Sequence, residues 1–202
     1  MRRPYALLLV LLLALGLAGC SGMRIVDSDV TAFATGTGPA VTLPAPYRFE
    51  RLPSQQANAA ATAAFEALAA PVLERAGLRR DDASPRYTLQ LELRVIRDPQ
   101  APWDDPRYMA GVAAPYPITM RYGVMMRHYA LDLRFDMPYY RRELAIVLRR
   151  LSDGVVVFES RARHDGRWHD DEAVLPAMLQ AALQGFPTPP PGLRRVVVEI
   201  PR

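Results

Sequence analysis

Alternation of apolar and polar residues marks the predicted strands. The clearest lies over Arg86 to Arg97, where Tyr87, Leu89 and Leu91 alternate with polar residues, which is typical of a strand with one buried and one solvated face. Related patterns, bounded by turn-forming residues, predict the remaining strands. In chain order the predicted strands are Arg24 to Ala34, Tyr47 to Arg51, Arg86 to Arg97, Val124 to Phe135, two strands of a hairpin around the turn Ser152 to Gly154, and a last one over Val196 to Ile200.

Apolar residues at spacings of three and four predict two helices. The first spans Ser54 to Gly77, with Ser54 as its N-cap and Gly77 as its C-terminal stop. We expect Pro71 to bend this helix or to end its first half. The second spans about Asp171 to Gln184, although Pro176 favours a start nearer Leu175. The order of elements predicts an α+β fold, an antiparallel or mixed sheet of about five to seven strands covered on one face by two helices.

The N-terminus has the pattern of a secretory signal. Arg2 and Arg3 precede an apolar run of 14 residues, Tyr5 to Ala18, whereas a spanning helix needs about 20. The run ends at Cys20, the only cysteine of the chain, so no disulfide can form within the chain. Residues 17–20, Leu-Ala-Gly-Cys, match the lipobox of bacterial lipoproteins, in which the thiol takes diacylglycerol. The alternatives are an ordinary signal peptide with an incidental thiol, and a membrane-spanning helix.

We therefore expect residues 1–19 to be a signal peptide that is removed, residues 20–23 to be a lipidated tether, and residues 24–202 to form a single periplasmic domain. Ser21 stands where an aspartate would retain a lipoprotein in the inner membrane, which favours the periplasmic face of the outer membrane. All 25 basic residues are arginine, and removing Arg2 and Arg3 from the formal charge of +4 leaves +2. With no basic run longer than two residues, nucleic-acid binding has little support.

Short motifs along the predicted mature chain resemble bacterial lipoproteins that carry domain of unknown function 4136. The motifs are Val26 to Asp29, Tyr47 to Phe49, Tyr87 to Val95, Val157 to Ala162, and Leu183 to Pro187. This resemblance implies a fold rather than a chemistry, and it brings no activity, cofactor or catalytic residue. The sequence departs from the family in its middle loop, which is rich in proline and aromatics instead of glycine, and in the added strand 193–200.

One cluster has the residue types of a metal site. It consists of His164, Asp165, His169, Asp170, Asp171 and Glu172. Their spacing fits no zinc motif, and acidic residues at a helix N-terminus are explained by capping and the helix dipole. We therefore predict no metal and no cofactor. No G-x-S-x-G motif is present, so no catalytic residue is predicted either, although a hydrolase that pairs a histidine with an acid in a cleft stays an alternative.

Two other groups of residues are candidate binding sites. Arginines on predicted strands form a possible face for anionic lipid or lipopolysaccharide phosphates, with Glu92, Asp132, Glu143 and Glu159 as cross-strand partners if the face is a charge mosaic instead. These arginines are Arg94, Arg134, Arg149 and Arg161, with Arg163 beside them. An irregular loop, 98–123, holds the aromatic residues Trp103, Tyr108, Tyr116 and Tyr122; it is either a contact site or a cover for the sheet.

Two function classes follow. The first is a non-catalytic module that binds an envelope protein or glycan through the loop or the sheet face. The second is a carrier or accessory subunit that holds a small apolar or lipidic ligand between helices and sheet. A roomy apolar cavity favours the carrier, and a filled core favours the binding module.

Replacing Cys20 by serine tests the anchor. We expect the parent to incorporate labelled fatty acid and to begin at Cys20, because the thiol is the acylated atom. The Cys20→Ser variant should stay unlabelled and keep residues 1–19, because serine offers no thiol for acylation and the cleavage that follows acylation does not occur. Mass spectrometry of the protein from its native host reports both changes, and a variant that is processed and partitions like the parent contradicts the anchor.

Overall fold

A seven-stranded sheet organises the computed structural model, which describes residues 22–35, 40–98 and 138–201. Its strands lie in the order β3, β2, β4, β5, β6, β1, β7. Neighbours are antiparallel, except that β2 runs parallel to both β3 and β4. The elements are β1 Met23–Ala34, β2 Ala45–Phe49, α1 Pro53–Ala57, α2 Ala59–Arg75, β3 Leu78–Arg80, β4 Tyr87–Asp98, β5 Tyr139–Arg150, β6 Val156–Gly166, α3 Asp171–Ala182 and β7 Leu193–Pro201.

The α+β fold with a mixed sheet is therefore confirmed. α2 packs against α3, and α3 contacts β1, β5, β6 and β7, so these two helices lie on the same side of the sheet. Every second residue of the central strands points into this layer, as the alternating pattern requires. The β5 to β6 hairpin turns at Leu151 to Val155, with Gly154 at a positive φ of 72°, which agrees with the predicted turn.

The helix boundaries differ from the expectation in two places. The stretch predicted as one helix from Ser54 is two helices that meet at Asn58, and the first has Leu52 as its N-cap. α2 runs through Pro71 instead of ending before it. α3 starts at Asp171 as predicted, and Pro176 lies inside the helix instead of marking its start.

Solvent exposure explains why the two prolines are tolerated. A proline inside a helix leaves the carbonyl four residues earlier without its hydrogen bond. The residues that lose this bond are Ala67 and Glu172, and both are exposed, so water replaces the missing donor. Gly77, at a φ of 86°, follows α2 and ends it as predicted.

Two strand predictions have other outcomes. β3, a three-residue strand parallel to β2, was not predicted, because three residues are too few to show alternation. The predicted strand Val124 to Phe135 lies outside the described residues.

The core lies between the sheet and the helices. Among its fully buried side chains are Leu73, Leu89, Leu144, Ile146, Leu148, Met178 and Leu179. Leu144 sits on the central strand β5, opposite Leu93 of β4 and Ala162 of β6. Its side chain is thus enclosed on both sides within the sheet.

Truncating this side chain should be costly. We expect Leu144→Ala to lower the free energy of unfolding by about 2–5 kcal/mol, because the substitution removes buried methyl groups and leaves a cavity. Val147, a half-buried residue on the opposite face of the same strand, is the control, and Val147→Ala should cost less. Urea unfolding of the mature protein, followed by tryptophan fluorescence, compares the two variants. Equal losses of unfolding free energy would contradict a core on the Leu144 side of β5.

Candidate functional site

The candidate surface is the face of the sheet away from α2 and α3. We call it the open face; no described element packs on it. It carries the alternate positions of β1, β4, β5, β6 and β7, which are mostly charged. Within the described ranges its exposed apolar side chains include Ile25, Phe33, Ile96, Leu193 and Val197.

A row of alternating charge crosses five strands of the open face. Register places Arg195 of β7 opposite Asp29 of β1, and Asp29 opposite Arg163 of β6. Arg163 lies opposite Glu143 of β5, and Glu143 opposite Arg94 of β4. Two of these facing pairs form salt bridges. Arg195 lies 3.3 Å from Asp29, and Arg163 lies 3.1 Å from Glu143. Opposite charges on facing positions stabilise a sheet, so the row is a matched mosaic.

Two depressions lie on the open face, beside this row. The first, of about 370 Å³, is lined at the β4 to β6 end by Arg94, Arg141, Glu143, Arg163 and Asp165, among others. The second, of about 420 Å³, lies over β1, β6 and β7. Its lining combines apolar Phe33 and Leu193 with Arg161, Arg163, Asp29 and Glu159. Phe33 is 61% exposed and Leu193 73% exposed.

The predicted arginine face has three of its four members on the open face. Arg94 lies beside the first depression, and Arg161, which lines the second, is 3.3 Å from Glu159. Arg149 donates to the carbonyl oxygen of Gly154 at the hairpin. Arg134 lies outside the described residues, as do Trp103, Tyr108, Tyr116, Tyr122 and Cys20. Anion binding by this set stays a prediction, and the acidic neighbours favour the charge mosaic.

Buried arginines hold the N-terminus of α3 on the other side of the sheet. The side chain of Arg142 in β5 is fully buried and donates to Asp171 Oδ1 and to the carbonyl oxygen of Trp168, at 2.7 and 2.8 Å. Arg24 of β1 donates to Asp170 Oδ2 at 2.7 Å and lies over the Trp168 ring. These pairs attach the start of the helix to β1 and β5.

This arrangement corrects the capping interpretation. Asp170 is the N-cap residue of α3, but its side chain makes no capping hydrogen bond. Asp170 and Asp171 each pair with an arginine. Asp171 and Glu172 both keep the expected place in the first turn of the helix. The sequence analysis does not single out these two arginines. Each stands two residues before buried apolar positions of its strand, Arg142 before Leu144 and Arg24 before Val26. A charged residue in phase with the buried side of a strand is the signal that could have found them.

The residues described contain no group of three or more possible metal ligands. His164 is buried, and its Nδ1 lies 2.6 Å from the carbonyl oxygen of Asp27 and 3.7 Å from the Asp27 carboxylate. Ser28, also buried, has a hydroxyl without a hydrogen-bond partner, as has His164 Nε2. These two groups therefore do not hydrogen-bond to each other, and this serine is not activated for nucleophilic catalysis.

The phenol of Tyr139, whose partner Asp165 lines the first depression, has a perturbed pKa. Burial raises the pKa of Tyr139 well above its usual value, and the hydrogen bond that its hydroxyl donates to Asp165, at 2.6 Å, raises it further. The phenol can donate this hydrogen bond only while it keeps its proton, so the bond favours the neutral phenol. Tyr139 is therefore a fixed hydrogen-bond donor and not a general base near neutral pH.

Residues 28–188 match the sequence model of a family described as Domain of unknown function (DUF4136). The chain belongs to the DUF4136 family. The match runs from β1 to just beyond α3, and β7 lies outside it. It confirms the family that the sequence motifs resemble, whereas the lipoprotein anchor stays a prediction. No curated protein matches this DUF4136 chain.

Several solved structures resemble this DUF4136 chain at low identity. The PelC dodecamer from Paraburkholderia phytofirmans is 14% identical, with 80% of this chain and 99% of that chain covered and a TM-score of 0.43. A point variant of that dodecamer is also 14% identical, with 77% of this chain and 94% of that chain covered and a TM-score of 0.43. A PDZ domain protein from Parabacteroides distasonis is 13% identical, with 92% of this chain but 41% of that chain covered and a TM-score of 0.48.

Removing the carboxylate that faces Arg142 should destabilise the domain. We expect Asp171→Asn to lower the free energy of unfolding by about 1–3 kcal/mol, because a buried guanidinium loses its charged acceptor. Asp82→Asn is the control, since Asp82 pairs with Arg80 at an exposed site, where about 0–1 kcal/mol is expected. Urea unfolding compares the variants, and similar losses would show that the Arg142 pair is no stronger than a surface pair.

Proposed function

We propose that this chain is an exported lipoprotein, anchored through Cys20 at the periplasmic face of the outer membrane, whose folded domain is a non-catalytic binding module. The signal pattern and the lipobox support the anchor. β1 begins at Met23, so the domain follows the acylated residue almost at once. In the described part of the chain, none of the helices combines the length and the apolarity needed to cross a membrane.

The observation that carries the binding role is the composition of the open face. Phe33 and Leu193 expose apolar surface in a depression that Arg161, Arg163 and Asp29 also line. Apolar side chains surrounded by charged ones are the usual arrangement of a protein contact, since the apolar part supplies affinity and the charges supply specificity.

A folded protein fits this face better than an anionic lipid surface does. Asp29, Glu143 and Glu159 lie among the arginines and would repel phosphates. A partner with an apolar side chain next to a carboxylate satisfies both the depression and its arginines. We therefore propose an envelope protein of this chemistry as the partner.

The carrier function has less support. Both described depressions lie on the open face instead of between the helices and the sheet. Large side chains such as Leu73, Phe158 and Met178 are fully buried between the sheet and the helices, and this burial supports a filled core over a ligand cavity.

Photo-crosslinking in the native envelope tests the binding role. A benzophenone amino acid at position 33, in the second depression, should give an adduct with a polypeptide other than this chain. The same probe at Leu52, an exposed apolar residue before α1, is the control and should give little or none. Mass spectrometry of the adducts identifies the partner and separates protein from lipid and glycan.

A charge reversal sharpens this test. Arg161→Glu in the chain that carries the probe should reduce the adduct about tenfold, because a carboxylate then faces the carboxylate of the partner. Adducts at Leu52 as strong as those at position 33, or adducts with lipid alone, would contradict a protein partner on the open face. The Cys20→Ser variant tests the anchor separately.

A further inference from the structure

β7 stands at one end of the sheet, and within the described residues its long outer edge is unpaired. Its inner edge pairs with β1 over the whole strand, from Leu193 opposite Thr31 to Pro201 opposite Met23. Among the described residues no strand pairs with its outer edge. At the other end of the sheet β3 is only three residues long. Short edge strands resist pairing with another chain, and long ones invite it.

The features that usually protect an edge are missing from the middle of β7. Its register with β1 is continuous, with no bulge, and its proline is the last residue of the strand. The Arg194 side chain turns back to donate to the carbonyl oxygens of Gln184 and Pro190. Val197, at the centre, is 56% exposed. The backbone groups of the outer edge are thus accessible to a second strand.

The sequence of β7 is complementary to itself when the strand is reversed. Residues 195–199 read Arg-Val-Val-Val-Glu. A two-fold axis through Val197, perpendicular to the sheet, places Arg195 opposite Glu199 of a second copy, and the two Val197 side chains opposite each other. On the helix side, Val196 then faces Val198 of the second copy. Within residues 195–199, apolar residues meet apolar residues and each charge meets its opposite. Arg194 lies opposite Ile200 of the second copy, and its guanidinium keeps its bonds to Gln184 and Pro190.

The charges select this register over its neighbours. An axis at Val196 or at Val198 would place Arg195 opposite Val197 or Pro201, and the charge pairing would be lost. Arg195 contacts Asp29 at 3.3 Å and Asp27 at 3.9 Å, yet its side chain is 66% exposed, so the guanidinium has further donors for another carboxylate. Glu199 makes no salt bridge to any residue in the described ranges, so its carboxylate is available for the pair.

We propose that two copies of this chain pair antiparallel through β7, in the register centred on Val197, and so form one continuous sheet. The occupant of the edge is a second copy because the strand complements itself in both charge and apolar character. This inference does not depend on the proposed anchor or on the binding role of the open face.

Complementary charge reversals test the dimer and its register. Arg195→Glu and Glu199→Arg should each weaken self-association at least about tenfold, because each places like charges opposite each other twice in the dimer. A mixture of the two variants should recover a heterodimer, since the two substituted side chains then face each other with opposite charges and the other contact keeps its native pair. Sedimentation velocity of the full chain in detergent measures the single variants, and co-purification with two affinity tags measures the mixture.

Arg79→Glu is the matched control and should leave association unchanged, because Arg79 is an exposed residue of β3, at the opposite end of the sheet from β7. Urea unfolding shows whether each variant is folded, and recovery in the mixture is itself a sign of intact folding. A monomeric parent would overturn the proposal. So would a dimer that ignores both reversals, because it would use another surface or reflect two acyl chains in one micelle.

Discussion

Burial of one face of the sheet under α2 and α3 is the constraint on which the rest of the structure depends. Strand side chains alternate, so a residue that enters the core places its neighbour on the opposite face. Leu144, Ile146 and Leu148 of β5 face the helices, and this puts Glu143 and Arg149 on the open face. A shift of register by one residue would bring these charges into the core, so the same burial that stabilises the fold also fixes the open face.

Arg142 is the exception to this alternation, and it shows what the apolar layer requires of a polar residue. It lies at a core position of β5, yet its guanidinium meets Asp171 and the Trp168 carbonyl. A buried charge is tolerated only with such partners. A buried guanidinium without a charged partner would destabilise the fold. This cost explains why the chain places two aspartates at the start of α3 and another arginine, Arg24, beside them.

The elements with strong periodicity were predictable from sequence, and those fixed by tertiary contacts were not. β4 and the hairpin were clear because many alternating residues report one buried face. β3 was missed since a three-residue strand is formed by pairing with β2. α2 passes Pro71 because that side of the helix meets water, a fact that depends on how the helix packs. Likewise Arg94, Arg149 and Arg161 were found on strands, but the charge row needed the order of strands, which places Asp29 and Arg195 of distant segments side by side.

The position of β1 has a mechanical consequence. β1 pairs with β6 on one side and with β7 on the other, and its first residue, Met23, is three positions after Cys20. A pull on a lipid at Cys20 would therefore act along β1 and load its hydrogen bonds to both neighbours in shear. Bonds loaded in this way share the force instead of opening one after another like a zip. β1 is thus a strand suited to resist tension applied at its N-terminal end.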